Sequence, residues 1–303
     1  MSDIKLFKIN SENVTELQST SAKIEKSLQS QIESNLDIYI GVTFLASEYS
    51  TGSNHGGRID TLGIDENGSP VIIEYKRAMN ENVINQGLFY LDWLMDHKAE
   101  FELLVLKNLG KEKSENIEWN SPRLLCIAGD FTKFDEHAVK QMNRNIELIR
   151  YRKFGDDLLL LELVNVAEAQ NGGAVISATS KKKQEYKTVS EYLKAANKDL
   201  TNLYYSLQDY MMNLGDDVQE KTLKYYIAYK RIKNFACVEV HPQSNKLYVF
   251  IKVNPDEMDL EEGFMRDVRK IGHYGTGDLE ITIRNQDDLE KAESFILKSY
   301  EMS

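Results

Sequence analysis

Cysteine is nearly absent from this 303-residue chain. Cys126 and Cys237 each stand alone among strand-like residues, so they offer neither a disulfide framework nor a metal-binding pair. An apolar leader segment is also missing, so we expect no secretory signal. The longest strongly apolar stretch, 158–166, is interrupted by Glu162 and is too short to span a bilayer. We therefore expect a cytoplasmic protein in a reducing compartment with no membrane partner, and nothing indicates a transporter.

Positively charged residues are outnumbered by negatively charged ones, and the net charge is −11. The deficit lies in the first half: 18 Lys and Arg stand against 27 Asp and Glu through residue 170, and 19 against 21 from residue 171 onward. An acidic domain attracts nucleic acid poorly unless its carboxylates recruit divalent cations and its basic groups cluster where phosphate lies. The first half alone is therefore expected to bind nucleic acid weakly, non-specifically and with salt sensitivity.

The first half alternates predicted strands with predicted helices, which indicates an α/β domain with a central mixed sheet flanked by helices. Apolar alternation and β-branched residues predict strands at 4–9, 44–49, 58–64, 71–76, 123–128, 146–152 and 158–164. Apolar spacings of three and four predict helices from Val14 to about residue 36 and at 82–95, 101–106 and 135–144. Turn-forming residues predict a loop at 50–57 and a hairpin connection at 65–70.

The composition changes at 167–187, where Gly, Ser and Lys dominate, and this stretch is expected to be a linker. The domains are therefore 1–166 and 188–303. In the second domain we predict helices at 189–196, 201–214, 217–227 and 286–300, a hairpin from 236–240 and 246–253, and a strand at 279–283. This pattern is typical of a smaller α+β domain.

Three residues on neighbouring strands form the first candidate site. Glu74 and Lys76 are two apart on one predicted strand, so both point to the same face. Asp60 lies on the preceding strand, and antiparallel pairing can bring it beside Glu74. Two carboxylates can hold a Mg²⁺ that keeps several waters and takes a phosphate oxygen, and the metal activates a bound water. A lysine at the same place can position that water and stabilise charge in the transition state.

The neighbouring helices add candidate supporting groups. Gln86 and Tyr90 are four apart and share one helical face, from which they can reach the phosphate or the attacking water. Glu33, on the early helix, is a candidate to accept a hydrogen bond from a metal-bound water. Arg58 and Arg77 flank the site, and contact with phosphate or pairing with a carboxylate are equally open for both.

These motifs resemble the core of the PD-(D/E)xK nuclease superfamily, and most of all the catalytic domain of NucS-type mismatch endonucleases. The resemblance rests on Gly57-Arg58-Ile59-Asp60, Val71-Ile72-Ile73-Glu74-Tyr75-Lys76-Arg77 and Gln86-Gly87-Leu88-Phe89-Tyr90. It implies that Asp60 and Glu74 bind metal, that Lys76 is catalytic, and that Gln86 and Tyr90 support the site, with Glu33 a weaker match. Ile59 replaces the proline of the superfamily motif, which supplies no ligand. The resemblance covers about residues 1–165 and lacks the DNA-binding domain that precedes the catalytic domain in those enzymes, so it carries no expectation of mismatch specificity.

A second resemblance rests on Tyr229-Lys230-Arg231-Ile232, the hairpin after it, and Gly272-His273-Tyr274-Gly275-Thr276-Gly277-Asp278. From about Thr188 onward, the chain resembles an uncharacterised domain found at the C-terminus of related predicted nucleases. Within it, basic residues and tyrosines interleave, which suits stacking and phosphate contact on single strands. Lys230 and Arg231 are the candidate nucleic-acid contacts. The alternative, slightly favoured by the pattern, is an amphipathic helix with tyrosines inward and lysines in water. The basic and aromatic members are Lys221, Lys224, Tyr225, Tyr226, Tyr229, Lys230, Arg231 and Lys233.

The predicted function is therefore a Mg²⁺- or Mn²⁺-dependent endonuclease that hydrolyses DNA phosphodiester bonds, with a C-terminal domain that recruits substrate or a partner. RNA stays open as a substrate, and a homodimer is compatible with cutting both strands. Repair, restriction and defence roles are equally open. The rival hypotheses are an ordinary ion pair on a solvated strand, and a catalytically inactive nuclease-fold module that binds nucleic acid or protein. The acidic charge of the first half favours the inactive module.

Overall fold

A computed structural model of the protein describes residues 4–11, 13–20, 25–76, 83–167 and 188–303. The chain divides into two compact units, Met1–Ala174 and Val175–Ser303. Most of the predicted linker, 168–187, and Arg77 lie outside the described residues. The expected domain bounds therefore stay a prediction. In the described part of the chain, no helix has the length and apolar character needed to cross a membrane.

The first unit is built on a seven-stranded mixed sheet with helices against it, as the sequence predicts. In chain order its strands are β1 (Leu6–Ile9), β2 (Val14–Leu17), β3 (Ser19–Thr20), β4 (Val42–Ser50), β5 (Arg58–Asp65), β6 (Pro70–Lys76), β7 (Arg123–Ala128), β8 (Asn145–Phe154) and β9 (Leu158–Ala167). The sheet runs β3-β8-β7-β6-β5-β4, with β9 also paired to β8, while β1 and β2 form a separate hairpin. The β6–β7 and β7–β8 pairs are parallel, and the other pairs of this sheet are antiparallel.

Helices bury both faces of this sheet. They are α1 (Glu25–Glu33), α2 (Leu36–Ile40), α3 (Gly52–His55), α4 (Val83–Asp96), α5 (Lys98–Leu109), α6 (Lys111–Glu115) and α7 (Lys133–Lys140). Helix α4 packs closely on β7, because a Cβ on Gly87 would lie 2.4 Å from Leu124 Cδ1. Helix α1 buries Leu28 and Ile32. The central strands read as apolar runs because both of their faces are covered.

The second unit holds a six-stranded, fully antiparallel sheet in the order β10-β11-β12-β13-β15-β14. Its strands are β10 (Gln219–Thr222), β11 (Ile227–Lys230), β12 (Asn234–His241), β13 (Lys246–Ile251), β14 (Met265–Asp267) and β15 (Leu279–Ile283). Three helices, α8 (Val189–Ala195), α9 (Lys198–Met212) and α10 (Gln286–Glu301), contribute apolar side chains to one core with the sheet. The expected α+β class of this region is confirmed.

Two predicted helices are wrong in part. Residues Val14–Leu17 form β2 rather than the start of a helix, because they pair with Leu6–Ile9, next to two backbone hydrogen bonds between Asn10 and Asn13. The helix predicted from Val14 begins at Glu25 instead. Residues 217–227 contain β10 and the start of β11 rather than a helix. In both places a short apolar spacing of three or four fits a helix or a strand, and the available strand partner decides.

Smaller elements also differ from the prediction. The predicted loop 50–57 contains the short helix α3, β3 lies within the predicted first helix, and α2, α6 and β14 have no predicted counterpart. None of these differences changes β5 and β6, which carry the candidate site.

Candidate active site

Asp60 and Glu74 meet on the first sheet as their spacing predicts. Thr61 pairs with Ile73, so the next position of the antiparallel register places Asp60 opposite Glu74. The two residues are linked through the backbone: Asp60 N donates to Glu74 Oε1 at 3.2 Å, and Tyr75 N donates to Asp60 Oδ2 at 3.0 Å. The hairpin therefore fixes both carboxylates side by side.

Glu74 is buried with one carboxylate oxygen unsatisfied. Its residue exposure is 0%, and Oε2 has no hydrogen-bond partner among the described residues. Burial raises the pKa of Glu74 to about 9, and the neighbouring charge of Asp60 adds to the shift. The pKa of Asp60 is raised as well, chiefly by burial and against the lowering effect of the Tyr75 amide and of Lys76. Two neighbouring carboxylates with raised pKa values mark this place as a candidate functional site.

Lys76 extends from the same strand and face. Its ammonium lies 3.3 Å from Glu25 Oε1 on α1, and its side chain is 15% exposed. Burial opposes the charged form, but the charges of Glu25, Asp60 and Glu74 outweigh it and raise the pKa of Lys76. The lysine is therefore held protonated, which suits a donor or a charge stabiliser and not a base.

Gln86 and Tyr90 lie on α4 and tie it to the start of β5. Tyr90 Oη accepts from the amide of Arg58 at 3.1 Å, and Gln86 Nε2 donates to the same oxygen at 3.3 Å. The contact is close, because a Cβ on Gly57 would lie 2.4 Å from Tyr90 Cε1. These residues anchor the strand that carries Asp60, and their predicted role in supporting the site stays a prediction.

Glu33 accepts hydrogen bonds from a strand residue and from its own helix, and Gln29 Nε2 also donates to the Asp60 carbonyl oxygen at 2.8 Å. Glu33 Oε1 accepts from the Thr61 hydroxyl at 2.5 Å and from Gln29 Nε2 at 2.9 Å. Because strand side chains alternate, Thr61 faces the opposite side of the sheet from Asp60. The predicted role of Glu33 in the site stays a prediction.

Two further carboxylates near the site were not among the predicted residues. Glu25 reaches Lys76 from α1, and its charge also raises the pKa of Asp60 and Glu74. Glu48 lies opposite Asp60 in the β4–β5 register and adopts φ 53°, a strained conformation for a residue with a side chain. Glu25 lies 51 residues before Lys76 and Glu48 lies on β4, so helix docking and β4–β5 pairing are needed to reveal them.

Arg58 pairs with Glu48 and does not stand alone. Its Nε lies 2.5 Å from Glu48 Oε2, while Lys26 Nζ lies 2.5 Å from Glu48 Oε1. The Arg58 side chain is nevertheless 67% exposed. Of the two interpretations of Arg58, the structure therefore displays the carboxylate pairing.

Of the predicted nucleic-acid contacts of the second unit, Lys230 is the last residue of β11 and Arg231 directly follows it. Lys230 is 4% exposed, so its burial weighs against a surface contact with phosphate. Arg231 Nε lies 2.7 Å from Asp217 Oδ2, and the guanidinium lies 4.6 Å from the Tyr300 ring centroid. The slightly favoured amphipathic helix is wrong here, because Gln219–Thr222 and Ile227–Lys230 form β10 and β11.

Divalent metal binding can be tested against this donor set. Among the described residues, no group of three or more His, Cys, Asp and Glu side chains is arranged as a metal site. Mg²⁺ commonly takes one or two carboxylates and completes its octahedron with water and phosphate oxygens. Asp60 together with the unsatisfied Glu74 Oε2 matches that requirement.

Comparison with known proteins gives a family match for the second unit. Residues 189–303 match a family model described as a domain of unknown function (DUF5655). This agrees with the expected resemblance to an uncharacterised C-terminal domain. An uncharacterized protein of Haemophilus influenzae is 29% identical over 305 residues, which cover 97% of this chain and 98% of that protein.

Two solved structures resemble part of the chain at low similarity. A repair endonuclease from Pyrococcus abyssi is 18% identical with a TM-score of 0.28, covering 44% of this chain and 50% of that one. A structure of an EndoMS–dsDNA complex is 18% identical with a TM-score of 0.24, covering 47% and 49%. The chain thus spans about half the length of both structures. Similarity at this level assigns neither activity nor substrate.

Proposed function

We propose that the first unit is a Mg²⁺- or Mn²⁺-dependent endonuclease that hydrolyses DNA phosphodiester bonds. The observation that carries the proposal is Glu74 Oε2, a buried carboxylate oxygen without a hydrogen-bond partner among the described residues, beside the second carboxylate of Asp60. Burying a carboxyl group with an unsatisfied oxygen is costly, and a bound cation would reduce that cost.

Asp60 and Glu74 would hold the metal. Bound there, it would polarise the phosphodiester and lower the pKa of a water ligand. The Tyr75 amide fixes the orientation of the Asp60 carboxylate, and the Asp60 amide fixes that of Glu74. The chain therefore presents both oxygen donors without having to reorganise them.

Lys76 would donate hydrogen bonds from its ammonium to the phosphate or to the attacking water. Glu25 keeps this ammonium protonated and in place at 3.3 Å. A fixed positive charge stabilises the negative charge that develops on the phosphate oxygens in the transition state. Because Lys76 is held protonated, it is not the group that removes the proton of the water.

Tyr90 and Gln86 would act by holding the strand. The Tyr90 hydroxyl accepts a hydrogen bond from the Arg58 amide, two residues before Asp60, and Gln86 donates to the same hydroxyl oxygen. Both residues are positioning residues in this proposal. Arg58, exposed beside the site, would exchange its partner Glu48 for a phosphate on DNA binding.

A cleavage assay tests the proposal. Full-length protein is incubated with labelled single-stranded, duplex, mismatched, flapped and circular DNA, and with RNA, in Mg²⁺, Mn²⁺ or EDTA. We expect metal-dependent cutting of DNA that falls by about 10²–10³-fold in Lys76→Ala, in line with the loss of one transition-state-stabilising group. Lys8→Ala, an exposed lysine in the β1–β2 hairpin, is the matched control and should cut normally.

Two results would contradict the proposal. One is cutting that Lys76→Ala leaves unchanged, which would point to a contaminating nuclease. The other is no cutting of any substrate by well-folded wild type, which would favour the inactive nuclease-fold binding module.

A further inference from the structure

The second unit contains a cavity of about 300 Å³ at the end of β12. It forms where β12 extends beyond its pairing with β11. The β11–β12 ladder ends at the Ile227–Val238 pair, whereas β12 continues to His241. The turn at 242–244 closes the cavity on one side. Its volume lies at the lower end of the range of small-molecule sites.

Tyrosines make up the apolar part of this cavity. Tyr225 and Tyr274 stack on one another with ring centroids 4.5 Å apart and an interplanar angle of 29°. Tyr192, from α8, lines the same space. Tyr274 is 46% exposed, so the stacked pair presents a flat aromatic platform that another ring can extend.

A fixed carboxylate supplies the polar part. Glu239 Oε1 accepts from the Tyr274 amide at 3.1 Å, and Oε2 lies 2.8 Å from His241 Nε2. The Glu239 side chain is 12% exposed, so these two contacts hold it in one orientation at the cavity wall. An ionised carboxylate only accepts hydrogen bonds, and each oxygen has a second lone pair for a ligand N–H.

Positive charge lies close to the aromatic residues. Lys224 Nζ is 4.9 Å from the Tyr225 ring centroid, and Lys246 Nζ is 4.5 Å from the ring centroid of Tyr248. Lys246 also pairs with the cavity residue His241 across β12 and β13. These two lysines disfavour a cationic ligand such as an arginine side chain, and they suit a ligand that carries phosphate.

We propose that this cavity binds a nucleobase, with the base stacked on Tyr225 and Tyr274 and its N–H donors on Glu239. Guanine fits best, because N1–H and the N2 amino group are adjacent donors that match a carboxylate. Thymine presents one N–H between two carbonyl oxygens, which the carboxylate repels. The inference does not rest on the proposed nuclease activity, because it requires neither metal nor the residues of the first unit.

Calorimetry on the full-length chain in EDTA tests the proposal with dGMP and dTMP. We expect dGMP to bind at least about 10-fold more tightly than dTMP, the usual discrimination of a good bidentate contact. Glu239→Gln should abolish that preference, because an amide offers one acceptor where the carboxylate offers two. Tyr274→Leu should weaken both nucleotides and Tyr274→Phe should not, because the phenylalanine keeps the stack.

Controls distinguish a folding defect from a loss of binding and identify the source of the base. Tyr205→Leu removes an exposed tyrosine of the same unit and should leave binding unchanged. Tighter binding of an oligothymidylate with one central guanine than of dGMP would identify a strand as the source of the base, and equal binding would identify a free nucleotide. The same titrations in Lys76→Ala keep this result independent of any nuclease activity.

The proposal is overturned by equal affinity for dGMP and dTMP, by the absence of binding to folded protein, or by a preference for N-acetyl-arginine amide over both nucleotides. A guanine preference that Glu239→Gln leaves intact would also overturn it.

Discussion

Glu74 and Glu147 are buried carboxylates of the same sheet with opposite surroundings. Arg123 holds Glu147 through two hydrogen bonds, at 2.7 and 2.8 Å, and also pairs with Asp65. Glu74 has the carboxylate of Asp60 beside it, and its Oε2 lacks a partner in the described part of the chain. The pairing of Glu147 with Arg123 stabilises the fold. The burial of Glu74 beside Asp60 destabilises it, and a bound cation would remove that destabilisation.

The stability of the metal-free protein should therefore fall as the pH rises. The pKa of Glu74 is about 9 in the folded state and near 4.5 when unfolded, so between these values the folded state binds a proton that the unfolded state lacks. Stability is full below pH 4.5 and is lost progressively up to about pH 9, and Asp60 shifts in the same direction. Denaturant unfolding in EDTA at pH 6 and pH 8.5 measures this.

Glu74→Gln should flatten that dependence and raise stability at pH 8.5 by about 1 kcal/mol or more, since the amide is neutral without the proton that Glu74 takes up on folding. Glu147→Gln is the contrasting control and should destabilise the protein by about 3 kcal/mol, since it breaks a buried ion pair. Loss of stability in Glu74→Gln at pH 8.5 would show that Glu74 has a charge partner in solution.

At the scale of elements, α4 positions β5 through one hydroxyl. Tyr90→Phe removes the acceptor for the Arg58 amide and should cost about 1 kcal/mol of stability, the usual net value of a hydrogen bond. We expect a smaller loss of cleavage rate than in Lys76→Ala, because Tyr90 acts by holding the strand. Chemical denaturation and initial rates measure the two effects.

Tyr39→Phe, a tyrosine on α2 of the same unit, is the control and should change neither quantity by a comparable amount. A Tyr90→Phe variant with wild-type stability and wild-type cleavage rate would show that the contact of α4 with β5 does not position the site.

Sequence patterns predicted that Asp60, Glu74 and Lys76 lie together because their placement depends on local rules. Strand alternation and a short hairpin fix which side chains share a face. Glu25 and Glu48 could not be found in this way, since one depends on how α1 docks and the other on β4 pairing. The same reason explains residues 14–17 and 217–227, where strand partners elsewhere in the chain override a helix-like spacing.

At the scale of the whole molecule, the net charge of −11 limits the electrostatic attraction between the protein and DNA. An acidic protein gains little from general attraction to phosphate, so a cation at the carboxylate pair should contribute much of the affinity. Fluorescence anisotropy of the Lys76→Ala protein with duplex DNA should show tighter binding in Ca²⁺ than in EDTA. The expected difference is about 10-fold or more, the effect of a charge-assisted contact between the cation and a phosphate.

That difference should shrink in Asp60→Asn. Equal affinity in Ca²⁺ and EDTA would mean that the protein binds DNA, if at all, through a surface other than the carboxylate pair.

The most direct test of the central claim, that Asp60 and Glu74 form a divalent-cation site, is a calorimetric titration of Mn²⁺ into the full-length protein at pH 8. We expect one cation per chain, at least 10-fold weaker binding in Asp60→Asn, and unchanged binding in Asp92→Asn, an exposed aspartate on α4. Binding that Asp60→Asn leaves unchanged, or no binding by folded wild type, would contradict the claim.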